Sequence, residues 1–157
     1  MAKTLFFYDY ICPFCEKGYE YLLEEIGRHP EIEVEYVPVQ VNSPAMYLAC
    51  QAYYAAKELE ADMGAFHAAM YKAAVVQGKN LSMSEAFRDV LKGIVDVDKF
   101  RAILDSGKYA KQVDENNDLA YEKSGVWFLP AFRTEGKKLD AKGGRGISPQ
   151  ELRDFFR

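Results

Sequence analysis

The sequence predicts an α/β protein whose core is interrupted by a block of helices. Three observations carry this reading: a strand–helix–strand pattern at the start, a helical middle, and a strand–strand–helix return at the end. Halves segregated in this way imply one α/β core, residues 1–42 plus 108–157, with a helical insertion over residues 43–107. No linker rich in Gly, Pro or Ser separates the parts, so they are expected to pack together.

Leu5 to Tyr8 is a short apolar run that ends in a Cys-Pro turn, as a buried strand would. From Pro13 to Arg28 the residues Cys15, Gly18, Tyr19, Leu22, Leu23 and Ile26 recur every three or four positions. That period gives a helix with one inward face, and Pro13 suits its first turn. Glu31 to Val41 then alternates, with Ile32, Val34 and Tyr36 on one face and Glu31, Glu33 and Glu35 on the other. Strand, helix and strand at these lengths make a βαβ unit, whose two strands should run parallel. Helices follow from Ser43-Pro44 to about Glu60 and from Gly64 to Val76. Ser82 with Glu85 reads as a capping box opening a third helix that ends near Gly93. Asp96 begins a fourth to about Ser106, and Lys108 to Lys123 a longer one closed by Gly125. Phe132–Thr134 and Leu139–Ala141 flank a hairpin turn at Glu135-Gly136-Lys137. Ser148-Pro149-Gln150-Glu151 announces the last helix, with Leu152, Phe155 and Phe156 facing inward.

Composition bounds the function. The 157 residues include 20 Lys+Arg and 24 Asp+Glu, for a net charge of −4, and 49% are hydrophobic. Mild acidity argues against a nucleic-acid binder, which needs a basic face. No apolar stretch approaches the roughly 20 residues of a membrane span, so no membrane partner is expected either. Leu5–Tyr8 is too short for a signal-peptide core, and the chain is read as a cytoplasmic protein starting at Met1. Three cysteines, Cys12, Cys15 and Cys50, are too few for a stapled secreted scaffold.

Their spacing says more than their number. Cys12-Pro13-Phe14-Cys15 places two sulfurs across one helical turn, within reach of a disulfide. Cys12 follows a strand and stands where a helix begins, where free N–H groups and the helix dipole favour a thiolate. Cys12 is therefore the expected nucleophile and Cys15 the resolving thiol of a mixed disulfide. Two inert helix cysteines would be the bland alternative. A structural zinc site would need four ligands, and one close pair with Cys50, His29 and His67 scattered does not supply the spacing. No metal is expected.

Tyr8-Asp9-Tyr10-Ile11-Cys12-Pro13-Phe14-Cys15 resembles the active-site segment of the DsbA-like thiol–disulfide oxidoreductases, closest to the FrnE-type members with Asp three residues before the first cysteine. Gly125-Val126-Trp127-Phe128-Leu129-Pro130-Ala131-Phe132, followed by Gly136-Lys137, is similar to a second block of that family. Ala55-Ala56-Lys57 through Phe66-His67-Ala68-Ala69-Met70 is similar to its helical insertion. The resemblance implies a thioredoxin-like fold with Pro130 in cis beside the dithiol. Leu129 would then offer its backbone to an extended substrate, with Trp127 and Phe128 as further substrate contacts.

Two residues depart from the family pattern. Phe14 stands where strongly oxidising DsbA enzymes have histidine, which removes a cation near the thiolate. A less oxidising couple is expected, between roughly −120 and −270 mV. Phe128 replaces a usual glycine and forms either an aromatic wall for substrate or a cover for the core. Asp9 could relay the proton released on thiolate formation, or simply cap a turn. Cys50 and His67 read as packing residues, and Lys142-Gly143-Gly144-Arg145-Gly146 lacks phosphate-loop spacing. The acidic run from Glu16 to Glu35 reads as a solvated face.

The expected activity is dithiol–disulfide exchange with a protein or small-molecule thiol, recharged by a reducing or oxidising partner system. The Cys12–Cys15 couple itself would serve as cofactor. The alternatives are a glutathione-dependent transferase or isomerase, with glutathione as co-substrate, and a non-enzymatic protein-binding adaptor.

Overall fold

The computed structural model describes residues 3–40 and 43–157. Strand β1 (Thr4–Tyr8) leads through the Cys-Pro turn into helix α1 (Pro13–Arg28), and β2 (Val34–Pro38) returns beside β1. The middle carries α2 (Pro44–Glu58), α3 (Met63–Tyr71) with a π-helical turn over Lys72–Val76, α4 (Phe87–Val90) entered through a 3-10 turn, and α5 (Val97–Asp105). The chain closes with α6 (Ala110–Asp118) and its π-helical turn Leu119–Lys123, the hairpin β3 (Ala131–Thr134) and β4 (Lys137–Asp140), and α7 (Pro149–Phe155).

One sheet of order β2-β1-β3-β4 organises the molecule. β1 pairs in parallel with β2, Phe6 opposite Tyr36, and antiparallel with β3, Phe6 opposite Phe132. The alternation of β1 divides the core. Phe6 and Tyr8 join the larger cluster with Cys15, Tyr19, Leu22, Phe132, Leu152 and the insertion helices. Phe7 points the other way, onto Val37, Val39, Ala120, Val126 and Ala131. Phe6 stacks between Tyr8 and Phe132, with both centroid distances 4.9 Å, and each such buried ring contributes about 1.5–3 kcal/mol. The last helix begins in a capping box: Glu151 N–H donates to Ser148 Oγ at 3.1 Å, and Ser148 N–H donates to Glu151 Oε1 at 3.0 Å.

Several elements differ from the expectation. β2 covers Val34–Pro38, opposite Thr4–Tyr8 of β1; among the described residues the ladder begins at the Thr4–Val34 pair, and Val41 lies outside the described residues. On α1, Leu23 is 46% exposed while Glu25 is 2% exposed, so the inward face runs through Cys15, Gly18, Tyr19, Leu22 and Glu25. Glu25 is therefore no part of a solvated acidic face: its carboxylate pairs with Arg28 and lies 3.9 Å from Arg153 Nε of α7. The third helix has no Ser82 cap. Ser82 N–H donates to Asn80 Oδ1, the helix enters through Ser84–Ala86 with Met83 as its N-cap, and it ends at Val90. Glu85 pairs with Arg88 and Arg101 instead of reaching back to the helix start. Phe156 is only half-buried, whereas Leu152 and Phe155 face the core.

Candidate active site

β1 ends at Tyr8, and the next residues form a tight turn pinned by Asp9. Its Oδ1 accepts the N–H groups of Ile11 (3.2 Å) and Cys12 (2.9 Å). Cys12 is the N-cap of α1, with extended backbone, and its carbonyl accepts from Cys15 N–H (3.0 Å) and Glu16 N–H (3.2 Å). Cys12 thus stands at the positive end of the α1 dipole, which favours its thiolate. Cys12 is half-buried and Cys15 fully buried one turn inside, both as free thiols.

The environment separates the two thiols. Cys12 is lowered to about 7, first by hydrogen bonding from the Cys15 thiol and then by the Cys15 and Phe14 backbone, against burial and the Asp9 charge. Cys15 is pushed well up, first by burial and then by its own bond to Cys12 and the nearby Asp9. At neutral pH the accessible sulfur is therefore substantially thiolate and the inner one a thiol, the polarity that thiol–disulfide exchange requires. Asp9 is 2% exposed, and burial carries its carboxyl up to about 6 despite the two N–H donors. The ligating atoms of Asp9, Cys12 and Cys15 lie within 4.8 Å of one another. Such a group can hold a thiophilic ion, a donor set the spacing of the cysteines alone did not reveal.

The Leu129–Pro130 peptide is cis. Pro130 packs against α1 so closely that a Cβ added to Gly18 would lie 2.9 Å from Pro130 Cγ. Trp127 is 80% exposed and Phe128 half exposed, and with Ile11 and Phe14 they are the large exposed apolar residues of the two segments that carry the dithiol and Pro130. Phe128 therefore does not cover the core. Leu129 is half-buried and packs on both core clusters.

Buried groups complete the surroundings, among them Cys50 and His67, which pack in the interior as expected. Tyr10, Tyr8 and His67 form a buried chain, with Tyr10 Oη 3.1 Å from Tyr8 Oη and 3.0 Å from His67 Nδ1. His67 stacks on Tyr36 and Tyr53 and is held neutral, its pKa lowered by burial to about 3. Cys50 is buried on α2, where burial pushes its thiol up. The Lys142–Gly146 loop reaches back to the dithiol segment and touches Phe14 and Phe128. Its cluster of glycines is the only local signal for it in the sequence.

Strand order, a dithiol at a helix start and a neighbouring X–Pro segment define a thioredoxin-fold thiol–disulfide oxidoreductase. The chain belongs to the DSBA-like thioredoxin domain family, whose model matches residues 23–147, a span that starts beyond the dithiol itself. Pseudomonas aeruginosa DsbA superposes with a TM-score of 0.77 at 22% identity, over 99% of this chain and 81% of that one. A thioredoxin-like oxidoreductase from Silicibacter pomeroyi gives 0.76 at 17% identity, covering 99% and 84%. Oxidised BdbD from Bacillus subtilis gives 0.75 at 17%, covering 98% and 84%. These similarities are similarities of fold. No curated protein matches the sequence significantly.

Proposed function

We propose that the chain exchanges disulfides with protein or small-thiol substrates through Cys12 and Cys15. The observation that carries this is the division of the pair: Cys12 half-buried with a pKa of about 7, Cys15 fully buried and held as a thiol. In the reducing direction, the Cys12 thiolate attacks one sulfur of a substrate disulfide, forming a mixed disulfide and releasing a substrate thiolate, which takes up a proton. Cys15 then loses its proton and attacks the Cys12 sulfur. The substrate's second sulfur leaves as a thiolate and is protonated, and the Cys12–Cys15 disulfide remains. Asp9, with a carboxyl at about 6 and within reach of both sulfurs, accepts and returns the proton that Cys15 gives up. Leu129 and Pro130, with Trp127 and Phe128, present the substrate segment to Cys12. Pro13 sets the first turn of α1 and Phe14 fills the position between the cysteines. The absence of a cationic side chain at Phe14 supports a couple less oxidising than that of DsbA, suited to reductase or isomerase duty in a reducing compartment such as the cytoplasm.

The test is insulin reduction driven by dithiothreitol or by glutathione. Wild type should turn over, Cys12→Ser should fall to background, and Cys15→Ser should accumulate a mixed disulfide visible on a non-reducing gel. Full turnover in Cys12→Ser would remove the nucleophile. Turnover with glutathione and a small electrophile, and none with insulin, would favour the glutathione-dependent alternative.

A further inference from the structure

The Lys142–Gly146 loop joins β4 to α7 and is tied on itself: Lys142 N–H donates to the Gly146 carbonyl, and Gly146 N–H donates to the Lys142 carbonyl. Arg145 fixes it to α7 through Glu151, the residue that also closes the capping box of that helix. Two of its glycines meet aromatic rings. A Cβ on Gly146 would stand 2.9 Å from Phe14 Cδ1 and 3.0 Å from its Cβ and Cγ. One on Gly143 would stand 3.2 Å from Phe128 Cε1. Gly144 between them faces open space although its φ, +78°, matches the +73° of Gly146. Missing side chains thus occur where the rings of Phe14 and Phe128 lie, one ring in the Cys12–Cys15 turn and the other in the segment that leads to Pro130.

We propose that the Lys142–Gly146 loop positions the substrate groove: Gly146 seats Phe14, Gly143 seats Phe128, and the loop thereby holds both aromatic walls at a fixed separation. The inference rests on the exchange reaction proposed for Cys12. Gly146 acts through Phe14, which stands two residues from Cys12 in the first turn of α1. Displacing the ring shifts that turn and changes the reactivity of Cys12. Gly143 acts through the side of the groove that meets substrate, so its substitution should alter binding more than chemistry. Both glycines are positioning residues and touch no reacting atom.

Four single variants and one double variant test this, with Cys12 alkylation by iodoacetamide at pH 7 and the kinetics of a bulky aromatic peptide disulfide as readouts. Gly146→Ala should slow alkylation by about threefold, because displacements well under an ångström near a reacting atom cost rate. Added to Phe14→Ala, where no ring remains to be displaced, Gly146→Ala should have no further effect on alkylation. Gly143→Ala should raise KM about threefold with kcat unchanged, the signature of lost binding common to ground and transition states. Gly144→Ala carries the same backbone strain without a ring contact, so it should lower stability and leave both readouts at wild type. Equal alkylation rates in Gly146→Ala and Gly144→Ala would overturn the seat at Phe14. An unchanged KM in Gly143→Ala would overturn the seat at Phe128. Should Gly146→Ala fail to fold, the Gly143→Ala and Gly144→Ala pair still decides whether the loop shapes the groove. Absence of turnover in wild type would instead count against the exchange reaction.

Discussion

Asp9 carries a charge at neutral pH against the preference of its surroundings. Its carboxyl rises from an ordinary 3.8 to about 6 because burial outweighs two backbone donors. A folded-state value above the unfolded one means the folded chain binds the extra proton, so this stabilisation is complete below about 3.8 and is lost as pH climbs through about 6. At pH 7 the ionised group therefore costs stability, by up to about 3 kcal/mol. Asp9→Asn should stabilise the protein at pH 7 and change little at pH 3.5, as urea denaturation at the two values would read. It should also raise the alkylation rate of Cys12 at pH 7, since the Asp9 charge holds that thiol up. If both effects appear while catalysed insulin reduction slows, Asp9 has given up stability for proton transfer. A variant no more stable than wild type at pH 7 would contradict the buried charge.

At the scale of elements, α1 is placed by a missing side chain on one side and an ion pair on the other. Gly18 lets Pro130 approach the helix backbone, and Glu25 draws α7 in through Arg153. Gly18→Ala gains about 1 kcal/mol of helix propensity but overpacks against Pro130, which costs about 1–3 kcal/mol. The expected outcome is a modest net loss of stability in urea and a larger loss of insulin reduction, because α1 carries the dithiol. Removing the α7 cap with Ser148→Ala should cost about 1 kcal/mol, read as a lower urea midpoint at unchanged slope. How far elements were legible depended on whether their signal was local. The period of α1 and the alternation around Phe6 and Tyr36 are properties of adjacent residues, and so is the Ser148–Glu151 box. Ser82 and Glu85 show the same four-residue pattern, but Asn80 competes for the backbone and arginines 88 and 101 take the carboxylate. The α1 face differs from its local period because buried Glu25 meets Arg153, a residue from more than a hundred positions away. In the site, the adjacency of Cys12 and Cys15 is written in four letters. The contacts of Phe14 with Gly146 and of Tyr10 with His67 are long-range, and no local pattern announces them.

For the molecule as a whole, His67 and Asp9 pull its pH dependence in opposite directions. Burial lowers His67 from 6.5 to about 3, so the stability that comes from keeping it neutral is present above about 6.5 and is lost as pH falls toward 3. Asp9 regains stability between about 6 and 3.8 and offsets part of that loss. His67→Phe keeps an aromatic ring among Tyr36 and Tyr53 but forfeits the bond to Tyr10, so it should be less stable than wild type at pH 7. Its stability should then decline less between pH 7 and pH 4, a difference of slope measurable by urea titrations across the range. An acid decline as steep as that of wild type would show that His67 is not the titrating group.

The order of strands has a consequence for how the chain is made. β1 is central, yet one neighbour, β2, follows within thirty residues, while the other pairs Leu5 with Arg133 near the far end. During synthesis β1 and the cysteines after it emerge before the β3–β4 hairpin and wait, with one flank bare, until that hairpin follows. Non-local pairing of this kind is slow and leaves apolar surface uncovered in the interval. Cys12 and Cys15 are thus translated ahead of the hairpin that completes the sheet on the second side of β1.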